Sequence, residues 1–179
     1  MIESRNKIRG RVWKYGDNVN TDVIFPGKYT YTVSDPADMP RYALEDLDAH
    51  FSAGVQPNDI IVAGTNWGCG SSREQAVICL KHGGLGAIVA KSFARIYYRN
   101  CLNAALPALI CPDAVDAIGN GETIEIDLEA GEIHCDAGTF TFQPLPAAIM
   151  KIFEAGGLIP YTRNILCESH TEATHIPSN

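Results

Sequence analysis

The chain of 179 residues has 46% hydrophobic residues and a formal net charge of −7, which predicts one compact folded domain and excludes a disordered chain. The acidic balance disfavours nonspecific nucleic-acid binding. No apolar run approaches the roughly 18 residues of a membrane span, and residues 1–11 lack the apolar centre of a signal peptide, so a cytoplasmic location is expected.

The N-terminal quarter is predicted to combine one strand with turns and a helix. Apolar and polar residues alternate over 9–15, as in a strand, and a turn-rich run follows over 16–22. Residues 28–34 have a β-like composition without an apolar face, which predicts an exposed loop that can move. A helix is predicted over 35–47, becoming regular only after Pro40.

The middle of the chain has a strand–helix–strand pattern. Short apolar runs predict buried strands over 60–63, 87–90 and 106–111. One helix is predicted over 73–82, and a second begins after Ser92 as its N-cap. The second helix has its apolar residues on one face: Phe93, Ile96, Tyr97, Cys101 and Ala104. This order predicts parallel strand pairing with right-handed crossovers, and hence an α/β fold.

Strictly alternating segments predict an added β-hairpin region in the C-terminal third. The predicted strands cover 122–128, 132–135 and 139–142, followed by a last helix over 146–155. From Cys167 the sequence is polar and is expected to fray. We therefore expect a single domain over residues 1–167 and a polar tail over 168–179.

The cysteines and histidines do not suggest a metal site on this chain. The six cysteines include no C-x-x-C pair, and the five histidines show no ligand spacing. Most of the cysteines are expected to be small buried apolar residues. We therefore predict that this chain alone binds no metal.

A glycine-rich segment over 68–74, GCGSSRE, stands between a predicted buried strand and a predicted helix. A phosphate-binding Walker loop needs a lysine where Gly70 stands, and a dinucleotide fingerprint needs a third glycine where Arg73 stands. The G-x-S-x-G pattern of a nucleophile elbow is also absent.

Two interpretations of this segment stay open from the residues alone. Glycines at a helix N-terminus allow backbone amides to approach an anion, and Arg73 offers a planar guanidinium suited to a carboxylate. A serine there would need its alkoxide stabilised by the helix end and a cation. Alternatively, Ser71 with Glu74, or Ser72 with Gln75, forms a capping box that only starts the helix.

Three ordered motifs resemble the swivel domain of the aconitase superfamily. They occupy residues 64–76, 91–96 and 16–22, and the resemblance extends over 10–165. Length and motif order look like those of the small subunits of the 3-isopropylmalate dehydratase family. The resemblance implies a swivelling β/β/α domain, with a parallel core sheet, helices and the added hairpin region.

The same resemblance implies a hydro-lyase that dehydrates or isomerises a hydroxy-dicarboxylate, as in leucine biosynthesis. In that family a large partner subunit carries a [4Fe–4S] cluster, and the swivel domain closes the active site from the other side. It therefore implies a heterodimer or heterotetramer that is active only when both subunits are present, and no cofactor on this chain.

Five residues of this chain match functional positions of the family. Ser71 matches the catalytic base that removes the proton α to a carboxylate, and Asp22 matches the active-site aspartate. Ser72, Arg73 and Thr21 match residues at the substrate. The structural alternatives are helix caps for the serines, a surface ion pair for Arg73 and an Asx-turn for Asp22.

One departure from the family pattern bears on the substrate. Small subunits of isopropylmalate dehydratases often carry Tyr-Leu-Arg-Thr on a loop that contacts the variable group of the substrate, whereas residues 29–32 here are Tyr-Thr-Tyr-Thr. Tyr31 stands where the arginine would be, and we expect it to contact substrate. The alternatives are a homoaconitase or 2,3-dimethylmalate dehydratase small subunit and, in a different class, a non-catalytic carboxylate-binding module.

Overall fold

The computed structural model describes residues 6–173, which form a mixed sheet with helices packed against its two faces. Within these residues the strand order is β4-β3-β2-β1-β5-β6-β7. The strands are β1 (Lys7–Lys14), β2 (Ile60–Ala63), β3 (Ala87–Ala90), β4 (Ala108–Ile110), β5 (Thr123–Asp127), β6 (Glu132–Cys135) and β7 (Gly138–Thr141).

The sheet has a parallel half and an antiparallel half that meet at β1. Strand β1 pairs in parallel with β2, and the parallel pairing continues through β3 to β4. On its other edge β1 pairs antiparallel with β5, which continues into β6 and β7. The predicted α/β fold with a parallel core and an added hairpin region is confirmed.

Alternation along the central strands divides the interior into two apolar cores. Ile61 and Ile88 point to the core that contains Trp67 and Tyr97, whereas Ile60 and Val89 point to the opposite core. Every residue of β2 and β3 is buried, because both faces of this part of the sheet are covered. This explains why these strands are short continuous apolar runs.

The structure corrects three of the helix predictions and adds short helices that were not predicted. The helices of the described residues are α1 (Thr21–Ile24), α2 (Phe51–Gly54), α3 (Gln75–His82), α4 (Arg95–Asn103), α5 (Pro112–Ala117), α6 (Ala147–Glu154) and α7 (Leu158–Ala173). The predicted helix over 35–47 is wrong, since that stretch forms turns and a short 3-10 helix over Met39–Tyr42. Pro40 removes a helical donor, and Leu44 has a φ of 57°, which is incompatible with a right-handed helix.

The second correction concerns Ser92, which does not cap α4. The helix begins at Arg95 after Ala94, and no side chain caps it. The Oγ of Ser92 instead accepts a hydrogen bond from the backbone N–H of Asn66 at 2.8 Å. Ile96, expected on the apolar face, is 52% exposed.

The third correction concerns the C-terminal region, where the helix over 146–155 is not the last. Helix α7 follows it and runs without interruption past Cys167 to Ala173, so the expected change to a frayed chain at Cys167 is not seen there. Residues 174–179 of the predicted tail lie outside the described residues. None of the helices in the described part of the chain has the length and apolar character needed to cross a bilayer.

Candidate active site

Two loops meet at the carboxyl end of the parallel strands. The loop after β2 carries the glycine-rich segment, and the loop after β1 carries Thr21 and Asp22. The backbone N–H of Gly68 donates to the carbonyl of Val19 at 2.8 Å, and that of Thr21 donates to Cys69 at 2.8 Å. Because ligands of such sheets bind at this edge, the pairing of the two loops positions a candidate site there.

Gly68 permits the close approach on which this arrangement depends. Its φ is +76°, and a Cβ placed on it would lie 2.1 Å from the ring of Tyr97. The buried Tyr97 in turn donates its hydroxyl to the carbonyl of Ala76 in α3, at 3.1 Å. A side chain at position 68 would therefore displace the loop from the helices beneath it.

The hydroxyl of Ser71 lies at the centre of a hydrogen-bond network. Arg73 donates its Nε–H to the Ser71 Oγ at 2.8 Å, and the Thr21 hydroxyl lies 2.9 Å from the same oxygen. The Thr21 oxygen already accepts the backbone N–H of Ser71 at 3.1 Å, which leaves its own proton free to point at the Ser71 Oγ. Either hydroxyl can donate in the contact between Thr21 and Ser71. With Thr21 as the donor, two donors converge on the serine oxygen, which favours its ionised form.

Arg73 joins three parts of the site through the separate nitrogens of its guanidinium. Besides Ser71, it contacts Asp22 through Nη2 and donates from Nη1 to the Oγ1 of Thr30 at 3.1 Å. Gly27 leaves room for this, since a Cβ there would come within 3.1 Å of Nη1. These three contacts leave two of the five N–H donors of the guanidinium for a substrate carboxylate.

Not all of the predicted site residues come into contact with one another in the structure. Ser71, Arg73, Asp22 and Thr21 form one connected group, whereas the Ser72 hydroxyl makes no hydrogen bond within the described residues. Thr21 is only 1% exposed, so its contact is with Ser71 rather than with solvent.

Neither capping box that the sequence allowed is present. Helix α3 begins at Gln75 after Glu74, with no side-chain hydrogen bond at its N-cap. The backbone carbonyl of Ser72 instead accepts a hydrogen bond from the side chain of Asn100 in α4, at 3.3 Å. The structural alternative for the two serines therefore fails, and their exposure leaves both open to a ligand.

The loop over 28–34 is held at several points, contrary to the expectation of a wholly exposed segment. The ring of Tyr29 stacks on Tyr42 with a centroid distance of 4.0 Å, and its hydroxyl donates to Glu45 at 2.9 Å. Lys28 pairs with Glu45 and lowers the pKa of that carboxyl. Tyr31, by contrast, is 96% exposed. Whether this loop moves remains a prediction.

Thr30 is the site residue that sequence reasoning missed. Its hydroxyl contacts Arg73 across 43 positions of chain, and it belongs to no motif that marks it. The available signal was its place next to Tyr31 in the loop that the family resemblance puts at the substrate.

A cavity of about 430 Å³ opens beside the Ser71 hydroxyl. No acidic residue contributes to its walls. Its lining comes from the glycine-rich loop and from the start of α4: Gly68, Gly70, Ser71, Ala94, Arg95, Ile96 and Arg99. A small anionic molecule could therefore occupy this space with a reactive atom against Ser71.

The described residues do not provide a site for a metal or an iron–sulfur cluster. They contain no group of three His, Cys, Asp or Glu side chains able to hold a metal ion. Burial also raises the pKa of the Cys79 and Cys101 thiols, which opposes the thiolate form that a cluster requires.

Comparison with known families gives a consistent result. The family model of the aconitase C-terminal domain matches residues 2–113. The 3-isopropylmalate dehydratase small subunit of Nautilia profundicola is 48% identical over 166 residues, which cover 92% of this chain and 99% of that protein. The 2,3-dimethylmalate dehydratase small subunit of Eubacterium barkeri is 46% identical and covers 87% of this chain and 96% of its own length.

A solved structure supports the same assignment of the fold. The crystal structure of a 3-isopropylmalate dehydratase chain from Methanocaldococcus jannaschii superposes with a TM-score of 0.87 at 40% sequence identity. The match covers 93% of this chain and 99% of the other. The aconitase-type fold expected from the motifs is therefore confirmed over nearly the whole length of the protein.

Proposed function

Because the chain belongs to the aconitase C-terminal domain family, and within it to the small subunits of dehydratases of the 3-isopropylmalate type, we propose that it is the small subunit of a two-subunit hydro-lyase. The reaction is the dehydration of a hydroxy-dicarboxylate, or its isomerisation through dehydration and rehydration. The observation that carries this proposal is the Ser71 oxygen held between Arg73 and Thr21.

Ser71 acts in this proposal as the base. Dehydration removes a proton from the carbon α to a carboxylate and hydroxide from the neighbouring carbon. The Ser71 Oγ, in its ionised alkoxide form, takes the proton and becomes a neutral hydroxyl, and the electron pair left behind spreads into the carboxylate to give an aci-acid dianion. That electron pair then expels the hydroxide from the neighbouring carbon. Since charge builds up in the transition state, fixed donors aimed at the reacting oxygen lower the barrier without having to reorganise.

Arg73 has two tasks in the same reaction. Its Nε–H stabilises the serine oxygen, while Nη1 and Nη2 each have a second N–H, besides those directed at Thr30 and Asp22, with which to bind the substrate carboxylate. Asp22 is well placed to receive or return a proton, because it is 61% exposed at the side chain and lies against Arg73. Thr21 positions Ser71 from below.

The partner in this proposal is a large subunit that carries a [4Fe–4S] cluster. That cluster supplies Lewis-acid chemistry at the hydroxyl group that leaves. The described residues of this chain do not fit such a group, and the open side of its site faces outward at Ser71 and Tyr31. Assembly with the large subunit completes the active site and excludes water from it.

The substrate is proposed as a malate with an alkyl substituent. Relatives of nearly equal similarity are named for 3-isopropylmalate and for 2,3-dimethylmalate. Both names describe a dicarboxylate with alkyl branches, and 3-isopropylmalate would place the enzyme in leucine biosynthesis. Homoaconitate, which carries a further carboxylate, is the alternative.

Reconstitution tests this proposal. The chain is mixed with a large subunit of the family under anaerobic conditions, and hydration or dehydration is assayed against a panel of alkyl- and carboxyalkyl-substituted malates. We expect activity from the mixture and none from either subunit alone. A carboxylate bound tightly by this chain alone, with no activity gained from any such partner, would establish the non-catalytic binding module instead.

A further inference from the structure

The loop over 28–34 is held to the body of the chain by one carboxylate, that of Glu45. Its oxygens accept the hydroxyl of Tyr29 at 2.9 Å and pair with the Nζ of Lys28 at 2.5 Å. The same Lys28 ammonium lies 5.0 Å from the centroid of the Tyr29 ring. Glu45 thus holds the two residues that come directly before Thr30, although it lies outside every motif of the sequence and has no role in the reaction proposed above.

Glu45 projects from a part of the backbone that is itself held in place. The residue before it, Leu44, is fully buried and donates its backbone N–H to the carbonyl of Ile24 at 2.9 Å. Leu44 has a φ of 57°, which a bulky residue adopts only where its surroundings hold it there. Since Ile24 ends α1, the helix that carries Asp22, the carboxylate is fixed relative to one wall of the site.

From this anchor, a series of contacts leads to the reacting oxygen. The backbone N–H of Thr30 donates to the carbonyl of Gly27 at 3.1 Å, so Thr30 belongs to the same short turn as Tyr29. The Thr30 hydroxyl accepts from Arg73 Nη1 at 3.1 Å, and Arg73 Nε–H donates to Ser71 at 2.8 Å. Each step is one hydrogen bond or one peptide unit, so a displaced Tyr29 would take Thr30 away from Arg73.

We infer that Glu45 is a positioning residue, which acts through Tyr29 and Thr30 to orient the guanidinium of Arg73 for the substrate carboxylate. This inference rests on the proposed function and deepens it, since it assigns part of substrate binding to a residue that does not touch the substrate. An exposed ion pair alone would hold a loop weakly. Here the carboxylate takes a hydrogen bond and a cation together, and the Tyr29 ring is also stacked on Tyr42 at 4.0 Å.

NMR spectroscopy of the isolated full-length chain tests the link without any need for activity. The side-chain Nε–H signal of Arg73 is the readout, because it responds to the hydrogen bonds of the guanidinium. Glu45→Ala should move this signal in the same direction as Thr30→Val, since both changes release Nη1 from its partner. Glu45→Gln keeps an acceptor for the Tyr29 hydroxyl and should move the signal less.

Asp46→Ala is the matched control, because it removes the neighbouring carboxylate. Asp46 lies 3.7 Å from Lys28, whereas the hydroxyl of Tyr29 is directed at Glu45. The control should leave the Arg73 signal in place. An Arg73 signal that does not move in Glu45→Ala, or that moves equally in Asp46→Ala, would overturn the inference.

A double-mutant cycle in the reconstituted enzyme tests whether Glu45 acts through Thr30. Glu45→Ala alone should raise the KM about fivefold, with a smaller change in kcat, because the loop loses its charged hydrogen bond but keeps its ring stacking. In a chain that already carries Thr30→Val, the same change should raise the KM less than about twofold, since the contact through which it acts is gone. Equal rises in the two backgrounds would refute the role of Glu45 as a positioning residue for Arg73.

The two measurements also separate this inference from the proposed function. If the wild-type mixture were inactive while the Arg73 signal still moved in Glu45→Ala and not in Asp46→Ala, the proposed function would fail and the link from Glu45 to Arg73 would stand.

Discussion

Ser71 and Ser72 are neighbours in the chain, but only the Ser71 hydroxyl is held by other side chains. Ser71→Ala removes the base and leaves the fold intact, so kcat should fall by at least about 100-fold with little change in KM. Ser72→Ala should retain much more activity, because its hydroxyl contacts nothing in the described chain. Steady-state kinetics of the reconstituted enzyme measure both.

The control for this pair is assembly with the large subunit, followed by gel filtration, which neither substitution should alter. Equal and modest losses of activity in the two variants would contradict the assignment.

Thr30 is proposed to orient Arg73 from the loop over 28–34. Thr30→Val keeps the shape of the side chain and removes the oxygen that accepts from Arg73 Nη1 at 3.1 Å. The KM of the substrate should rise roughly tenfold or more, since a lost hydrogen bond to a charged group costs about 1.5–3 kcal/mol. Thr30→Ser should restore the wild-type KM.

Thr32→Val is the matched control, because Thr32 lies in the same loop and donates only to the carbonyl of Lys28, at 3.4 Å. It should change KM less than twofold. A comparable rise in both variants would mean that the loop as a whole, and not the contact with Arg73, affects binding.

The elements beneath the site are joined by the close approach of Gly68 to Tyr97. Gly68→Ala would place a methyl group against the Tyr97 ring and would also strain a φ of +76°. We expect the free energy of unfolding to fall by at least about 2 kcal/mol, because the packed helices leave no room to shift. Urea or thermal denaturation of the isolated chain measures this loss.

Gly16→Ala is the matched control, because it makes the same substitution at a loop position where the added methyl group has space. Nothing lies within 4 Å of a Cβ at Gly16, and its φ is not positive, so the stability should change by less than about 1 kcal/mol. If both variants were equally stable, the contact between the glycine-rich loop and α4 would not support the site.

The elements also show where sequence patterns are informative and where they are not. Strands β2 and β3 could be predicted because burial on both faces demands an unbroken apolar run. The local sequence over 35–47 does not show that this segment is not a helix. Leu44 has a φ of 57° and donates its backbone N–H to the carbonyl of Ile24, which is distant in sequence. The sequence did not predict helix α7, because residues such as Ile159 and Leu166 are exposed and no apolar face is buried over 158–167, where the side chains are described.

The same limit applies to the site. The motifs predicted that Ser71, Arg73 and Asp22 meet, because they carry recognisable patterns of the family. The contact of Arg73 with Thr30 depends on how the loop over 28–34 folds back, which Tyr29 determines by stacking on Tyr42. Ser92 was misassigned as a cap for a similar reason, since its partner Asn66 is distant in sequence.

At the scale of the whole molecule, the exposed residues of the site indicate that this chain is one half of an enzyme. Ser71 and Ser72 are open to solvent, Arg95 and Arg99 have no described partner, and Tyr31 is almost fully exposed. In the proposed two-subunit enzyme, selectivity for the substrate would therefore arise in the assembled molecule, with the large subunit covering these groups. Any effect of Tyr31 can appear only there.

Tyr31 is expected to favour a substrate with a small or alkyl variable group over one with an extra carboxylate. A tyrosine covers apolar surface and donates one neutral hydrogen bond, whereas an arginine can pack its stem on an alkyl branch and bind a carboxylate with its guanidinium. The two residues before Tyr31 form hydrogen bonds, Tyr29 with Glu45 and Thr30 with Arg73.

Tyr31→Arg should therefore shift the ratio of kcat/KM between alkyl- and carboxyalkyl-substituted malates towards the carboxyalkyl substrate. The expected shift is about 10- to 200-fold, which corresponds to about 1–3 kcal/mol. Tyr31→Phe is the matched variant, since it keeps the ring and removes only the hydroxyl, and it should preserve the preference for the alkyl substrate. Both are measured in the reconstituted enzyme with the same large subunit. A ratio that stays constant through Tyr31→Arg would show that the large subunit alone selects the substrate, and that the exposed ring of Tyr31 does not take part.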